Sequence, residues 1–233
     1  MSKQPIEIDW EKKYRIDEAG NVDVERNWIL INRTNRDVDI SEVAVYVEEA
    51  VDALVNAQAK DSSGSLDIRQ EGRGNIFKLG VYPRIDVLSP SQKYEITLEY
   101  QFPNNVHKLG EMWLFSDIIS GINIGKFSEL ITDKTDLKLR VVLPRLKKRF
   151  WQSAFHESNP LFKELPKEEK SSQYADNIVL ALTSSLFSNS VRRVELVYGV
   201  RTNAKLAGFL IFLGTAFIGK SIDYAFNWLK GGG

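Results

Sequence analysis

Residues 94–100 read Tyr94-Glu95-Ile96-Thr97-Leu98-Glu99-Tyr100, a strict alternation of apolar and polar side chains. A period of two puts every second side chain on the same face of an extended chain, so this stretch has one greasy face and one wet face. The same period recurs outward from it. Tyr14-Arg15-Ile16-Asp17 runs into the turn-forming cluster Glu18-Ala19-Gly20-Asn21, and Val22-Asp23-Val24-Glu25 resumes the alternation. Trp28-Ile29-Leu30-Ile31 is followed by the polar stretch Asn32 to Asp37, and Asp61-Ser62-Ser63-Gly64 separates two further strand-like pieces. Gly72-Arg73-Gly74-Asn75 precedes Ile76-Phe77-Lys78-Leu79. Short alternating strands with turn chemistry about every ten residues predict a mainly β protein, an antiparallel immunoglobulin-like sandwich that is either one large unit or two small ones.

Downstream, Met112 to Phe115, Leu137 to Leu143, Ile178 to Leu182 and Val194 to Tyr198 read as a second set of strands. Pro103-Asn104-Asn105 marks a turn or linker, so a division near residues 101–110 is one reading of the 1–203 region. Ser41 to Lys60 fits a capped helix as well as two strands meeting at Glu48-Glu49; the flanking strands favour the second. Leu146 to Asn177, with Pro160, Pro166 and the charged run Lys167 to Lys170, reads as a long loop with one short helix.

Beyond this region the chemistry changes. Residues 206–219 read LAGFLIFLGTAFIG with no charged group, and the chain continues KSIDYAFNWLKGGG. A spanning helix needs about 20 mostly apolar residues. Extension to Leu229 supplies that length but takes in Lys220, Asp223 and Asn227, which recur at i, i+3 and i+7 and so share one helical face. The expectation is a single C-terminal transmembrane helix over 204–230. Leu206, Phe209, Ile211, Phe212, Phe217 and Ile218 lie in hydrocarbon, and Tyr224 and Trp228 lie at an interface. The alternatives are a helix whose second half lies along the membrane surface and a buried core helix. Gly208, Thr215 and Gly219 belong to small-x-x-x-small spacings that let helices approach closely. Lys220, Asp223 and Asn227 add a polar face that needs a partner in lipid, so these six residues are the expected helix–helix contact.

Orientation follows from the flanks. Residues 1–17 contain no apolar stretch resembling a signal peptide. Arg192, Arg193, Arg201 and Lys205 precede the apolar segment and Lys230 alone follows it, so the 1–203 region is expected on the cytoplasmic side.

The 233 residues carry 31 basic and 31 acidic groups. Removing Lys205, Lys220, Lys230 and Asp223 with the tail leaves 28 basic and 30 acidic groups, a net of −2. That balance argues against nucleic acid as a main partner. No cysteine is present, which removes disulfides and thiolate chemistry. The densest charge is Arg145, Lys147, Lys148 and Arg149, followed by Phe150 and Trp151. Basic groups beside aromatic rings suit an anionic membrane surface, and Arg145, Lys147, Lys148, Arg149 and Trp151 are the candidate contacts.

Catalytic patterns are thin. His107 and His156 are isolated and make a poor metal site. No G-x-S-x-G elbow occurs, and Gly72-Arg73-Gly74 lacks the rest of a phosphate-binding pattern. Asp17-Glu18 and Glu48-Glu49 read as solvated turns, and Asp133 and Asp136 lack calcium-loop spacing. The expected function is therefore a non-enzymatic, tail-anchored membrane protein. It would use its β domain as an interaction or complex-forming module, bound to the bilayer and to a protein partner or a second copy through its helix. No cofactor is expected. A ligand-responsive effector whose tail self-associates and a membrane-bound hydrolase are the alternatives.

Overall fold

The computed structural model describes residues 6–41, 44–73, 76–120, 134–146, 152–158, 162–174, 177–187 and 191–202. The 204–230 segment with every predicted anchor and helix-contact residue lies outside the described residues, as do Lys147, Lys148, Arg149 and Trp151.

Among the described residues the chain is mainly β. The strands in chain order are β1 (Ile6–Ile16), β2 (Val22–Asn32), β3 (Val38–Asp39), β4 (Val45–Ala50), β5 (Val55–Asp61), β6 (Gly64–Arg73), β7 (Ile76–Tyr82) and β8 (Val87–Leu88). They continue as β9 (Lys93–Phe102), β10 (Val106–Leu109), β11 (Met112–Ser120), β12 (Lys134–Val142), β13 (Gln152–Ser158), β14 (Lys163–Glu164), β15 (Val179–Phe187) and β16 (Val191–Thr202). Two single-turn 3₁₀ segments, Lys167–Glu169 and Ser172–Tyr174, lie between β14 and β15.

The long strands form a ten-stranded sheet in the order β14-β15-β12-β1-β2-β9-β5-β6-β7-β4, and β10-β11-β16-β13 form a second sheet. β1 sits near the middle, antiparallel to β2 with Lys12 opposite Arg26, and parallel to β12 with Tyr14 opposite Val141. Its side chains alternate buried and half-buried, so Ile6, Ile8, Trp10, Lys12, Tyr14 and Ile16 all point inward. β9, built from the 94–100 alternation, does the same. The opposite wall of the core comes from β4 at the far end of the large sheet and from β11 of the second sheet. Tyr14 meets Phe115 edge to face with ring centroids 5.1 Å apart, and Lys12 reaches across to Glu49 at 3.0 Å.

The 41–60 region forms strands, with the break at residues 51–54 and not at Glu48-Glu49. Glu49 corrects the reading of that pair as a solvated turn: it lies within β4 and is fully buried. The 146–177 stretch is also more regular than expected. Gln152–Ser158 pairs along β16 from Thr202 to Leu196, taking its partners from a strand some forty residues away that local alternation does not reveal. His107 and His156, expected in a turn and a loop, stand in β10 and β13. Pro103 to Asn105 carries the chain from β9 into the second sheet, with Asn104 in the left-handed region at φ 53°, while β12, β14 and β15 return to the large sheet.

Candidate functional site

Charge collects at two places, one sealed in the core and one at an end of the strands. The sealed cluster begins with an unfavourable register. Lys12 and Arg26 are direct cross-strand neighbours, and both occupy inward positions; like charges so placed repel. Two carboxylates from the opposite wall answer them. Lys12 Nζ donates to Glu49 Oε1 at 3.0 Å and to Asp117 Oδ2 at 2.7 Å. Arg26 pairs with Glu49 through Nη2, and its Nε donates to the Tyr100 hydroxyl at 2.7 Å. The Tyr100 hydroxyl donates to Glu49 and the Tyr14 hydroxyl to Asp117. The side chains of Lys12 and Glu49 are 0 % exposed.

Two cations and two carboxylates balance to zero, which is the condition for holding four charges out of water. Burial alone would push the Asp117 carboxyl up; the Lys12 ammonium and the hydrogen bonds from Lys12 and Tyr14 overcome that and hold it below the usual carboxylate range. Burial opposes the charge on Arg26 most strongly, but Glu49, Tyr100, Tyr14 and Asp117 together outweigh it and keep the guanidinium firmly protonated. The Tyr14 and Tyr100 hydroxyls are pushed well up, chiefly by burial. These groups satisfy one another across the core, so the cluster welds the layers together.

Sequence reasoning did not nominate these residues, though a signal exists. Lys12 sits in the apolar phase between Trp10 and Tyr14, and Arg26 sits between Val24 and Trp28. A charge in the buried phase of an amphipathic strand is the mark of a partner across the core.

The second place is the end of the strands where β16 leaves the sheet. Leu109 and Met112 face each other across a two-residue connection, Gly110-Glu111, with Gly110 at φ 65°. Glycine at the first central position suits a tight turn matching the strand twist. Trp113 stacks on Tyr198 with centroids 6.3 Å apart, and Lys108 Nζ lies 5.2 Å from the Trp113 ring centroid. Beside them is a cleft of about 260 Å³ whose walls include Lys108, Glu111, Trp113, Arg145, Gln152 and Val200. Glu18, from the β1–β2 turn, lines it too. That turn is held by Asp17, which accepts the Ala19 and Asn21 N–H groups at 2.9 and 2.8 Å.

Of the predicted membrane-surface residues, Arg145 is the one among the described residues, and it lies on this cleft. His107 and His156 are not brought together, since β10 and β13 are opposite edges of the second sheet, about 14 Å apart by strand spacing. His156 Nε2 lies 3.4 Å from Glu164. Among the described residues no group of three or more His, Asp or Glu side chains is placed to hold a metal ion. A further cleft of about 340 Å³ on the outer face carries charges that pair with each other, Arg15 with Asp23 at 2.9 Å and Lys13 with Glu25 at 3.8 Å.

No protein-family model matches the chain, and no curated protein matches it in sequence. Solved structures that superpose in part include an M1 zinc metallopeptidase from Deinococcus radiodurans, with a TM-score of 0.43 and 11 % identity over 84 % of this chain and 42 % of that one. Native yeast LTA4 hydrolase overlaps with a TM-score of 0.42 and 7 % identity, over 84 % of this chain and 29 % of its own. A Legionella pneumophila protein gives 0.43 and 11 %, over 83 % of this chain and 68 % of its own. The chain spans less than half the length of the two hydrolytic enzymes. Likeness at this level assigns neither activity nor ligand to it.

Proposed function

We propose that the chain is a membrane-anchored, non-enzymatic docking module: a β-sandwich held at the cytoplasmic face of a bilayer by the 204–230 segment as a single spanning helix. The observation that carries this reading is one strand pair. Gln152, which opens β13, lies opposite Thr202, which closes β16. The run Arg145 to Trp151 immediately precedes Gln152, and the apolar segment begins at Leu206, four residues past Thr202. Two features more than fifty residues apart in the sequence thus converge on one end of one ladder. Basic groups beside the point where an apolar segment departs are what an anionic leaflet attracts, at about 1 kcal/mol for each group near the surface.

The docking role is supported by how the charged side chains are used. Those gathered in the core are satisfied by one another, and those on the outer face pair across strands. In this reading Lys220, Asp223 and Asn227 meet a second helix, from a protein partner or another copy of the chain. The test is fractionation of cells making the full chain and a form lacking residues 204–233. The full chain should require detergent for extraction and the shortened form should not; a full chain that is soluble without detergent overturns the reading. The detergent extract then supplies the copurifying partner.

A further inference from the structure

Leu109 and Met112 are 58 % and 44 % exposed and sit directly opposite each other at the tip of the β10–β11 hairpin. A lone exposed leucine needs no explanation, but two large apolar side chains paired on one tight turn form a wedge that water does not favour. The tip is locked to the strand that leads to the tail. Met112 is opposite Gly199, and the Val200 N–H donates to the Glu111 carbonyl at 3.4 Å. From that level β16 continues only to Thr202, roughly 10 Å further at about 3.3 Å per residue.

We propose that this hairpin tip is a second membrane contact, in which Leu109 and Met112 enter the interfacial layer of the same bilayer that holds the 204–230 segment. The proposal rests on the membrane-anchor reading and adds an orientation to it. The tip stands about 10 Å behind Thr202 along the strands and one to two strand spacings to the side. A lean on the order of 45° toward the β10 edge therefore brings tip and tail exit to one plane. Amphipathic segments settle about 5–10 Å into the headgroup region, which a hairpin tip spans. Trp113 and Lys108 follow directly behind the apolar pair, an aromatic ring with a cation over it, and such rings favour that depth. Between the tip and the tail exit lies the 260 Å³ cleft with Arg145 on its wall. The basic groups at this end, Lys108, Arg145 and Arg201, are matched by Asp17, Glu18 and Glu111. In the sequence, Lys147, Lys148 and Arg149 precede Gln152 and Lys205 follows Thr202, and these four charges would tilt the balance toward an anionic leaflet.

Because the chain has no cysteine, single-site labelling tests this cleanly. Leu109→Cys, Met112→Cys and, at the far end of the strands, Asn35→Cys are labelled with an environment-sensitive dye in the full chain. Each is reconstituted in vesicles of two parts phosphatidylcholine to one part phosphatidylglycerol. The expected result is brighter, blue-shifted emission at 109 and 112 that nitroxide-bearing lipids quench, and neither effect at 35. Placing Leu109→Glu beside the dye at 112 should abolish the shift while the protein stays with the vesicles. Vesicle-bound protein whose 109 and 112 dyes behave like the one at 35 overturns the tip contact and leaves the anchor intact. A blue shift that lipid nitroxides do not quench means that protein covers the tip, and also overturns it. Protein recovered free of the vesicles overturns the anchor reading and the contact with it.

Discussion

Glu49 answers two cations at once, so its removal should be felt more than that of an ordinary surface acid. Glu49→Gln leaves Lys12 and Arg26 opposed on neighbouring strands with only Asp117 to balance them, and stranding a buried charge costs about 3–5 kcal/mol. Urea midpoints should fall accordingly. The cluster also predicts a rescue. Lys12→Met strands Asp117 and should cost a similar amount; adding Asp117→Leu removes the stranded charge and leaves Arg26 and Glu49 as a balanced pair. The double variant should be more stable than Lys12→Met alone, and a merely additive loss would contradict the cluster as drawn. Asp117 sets a pH dependence as well. Its folded value lies below the unfolded one of about 3.9, so its contribution is present above that pH and is lost as the pH falls through the folded value. The stability gap between the parent chain and Asp117→Asn should therefore narrow as the pH drops below about 4, and a gap independent of pH would count against the assignment.

At the scale of elements, the β10–β11 hairpin and β16 meet where two glycines carry opposite predictions. Gly199 packs against backbone: a Cβ there would lie 2.5 Å from the Glu111 carbonyl oxygen and 3.1 Å from the Met112 Cα. Gly199→Ala should force the β11–β16 ladder apart, at about 3 kcal/mol. Gly110 has nothing within 4 Å of such a Cβ, and its φ of 65° is the whole constraint, so Gly110→Ala should cost only roughly 1–2 kcal/mol. Thermal melts of the two variants order them; a milder Gly199→Ala would mean that the hairpin and β16 are less closely seated. These elements also show what could be read beforehand. β9 and β12 were visible because each carries its own alternation, and β11 and β16 because each holds a short apolar run. β13 was not, because its sequence, Gln152 to Ser158, has little apolar contrast and owes its strand to β16. The parallel pairing of β1 with β12 joins segments more than a hundred residues apart, and nothing local encodes it. The end-of-strand site was half legible: Arg145 was picked out by its basic neighbours, whereas Leu109 and Met112 matter only once the hairpin sets them opposite each other.

In the whole molecule, the cluster ties the neighbouring strands β1 and β2 to two strands, β4 and β11, that adjoin them in neither sheet nor sequence. Lys12 and Arg26 come from the middle of the ten-stranded sheet, Glu49 from its far end and Asp117 from the second sheet. The large sheet cannot release β4 without leaving Lys12 and Arg26 with Asp117 as their one carboxylate, and the second sheet cannot lift away without parting Asp117 from Lys12. Both events carry a buried-charge penalty of several kcal/mol, a large share of the 5–15 kcal/mol that holds a domain together. The two sheets should therefore unfold as one unit. Tryptophans report on each separately: Trp28 is buried in β2, and Trp113 stands in β11 against Tyr198. In single-tryptophan variants of the full chain in detergent, with the others replaced by phenylalanine, urea transitions followed at Trp28 and at Trp113 should coincide in midpoint and slope. Glu49→Gln should shift both curves to lower urea by the same amount. Separate midpoints, or a shift at Trp28 that leaves Trp113 unmoved, would mean that the sheets are independent and that the cluster fastens only one of them.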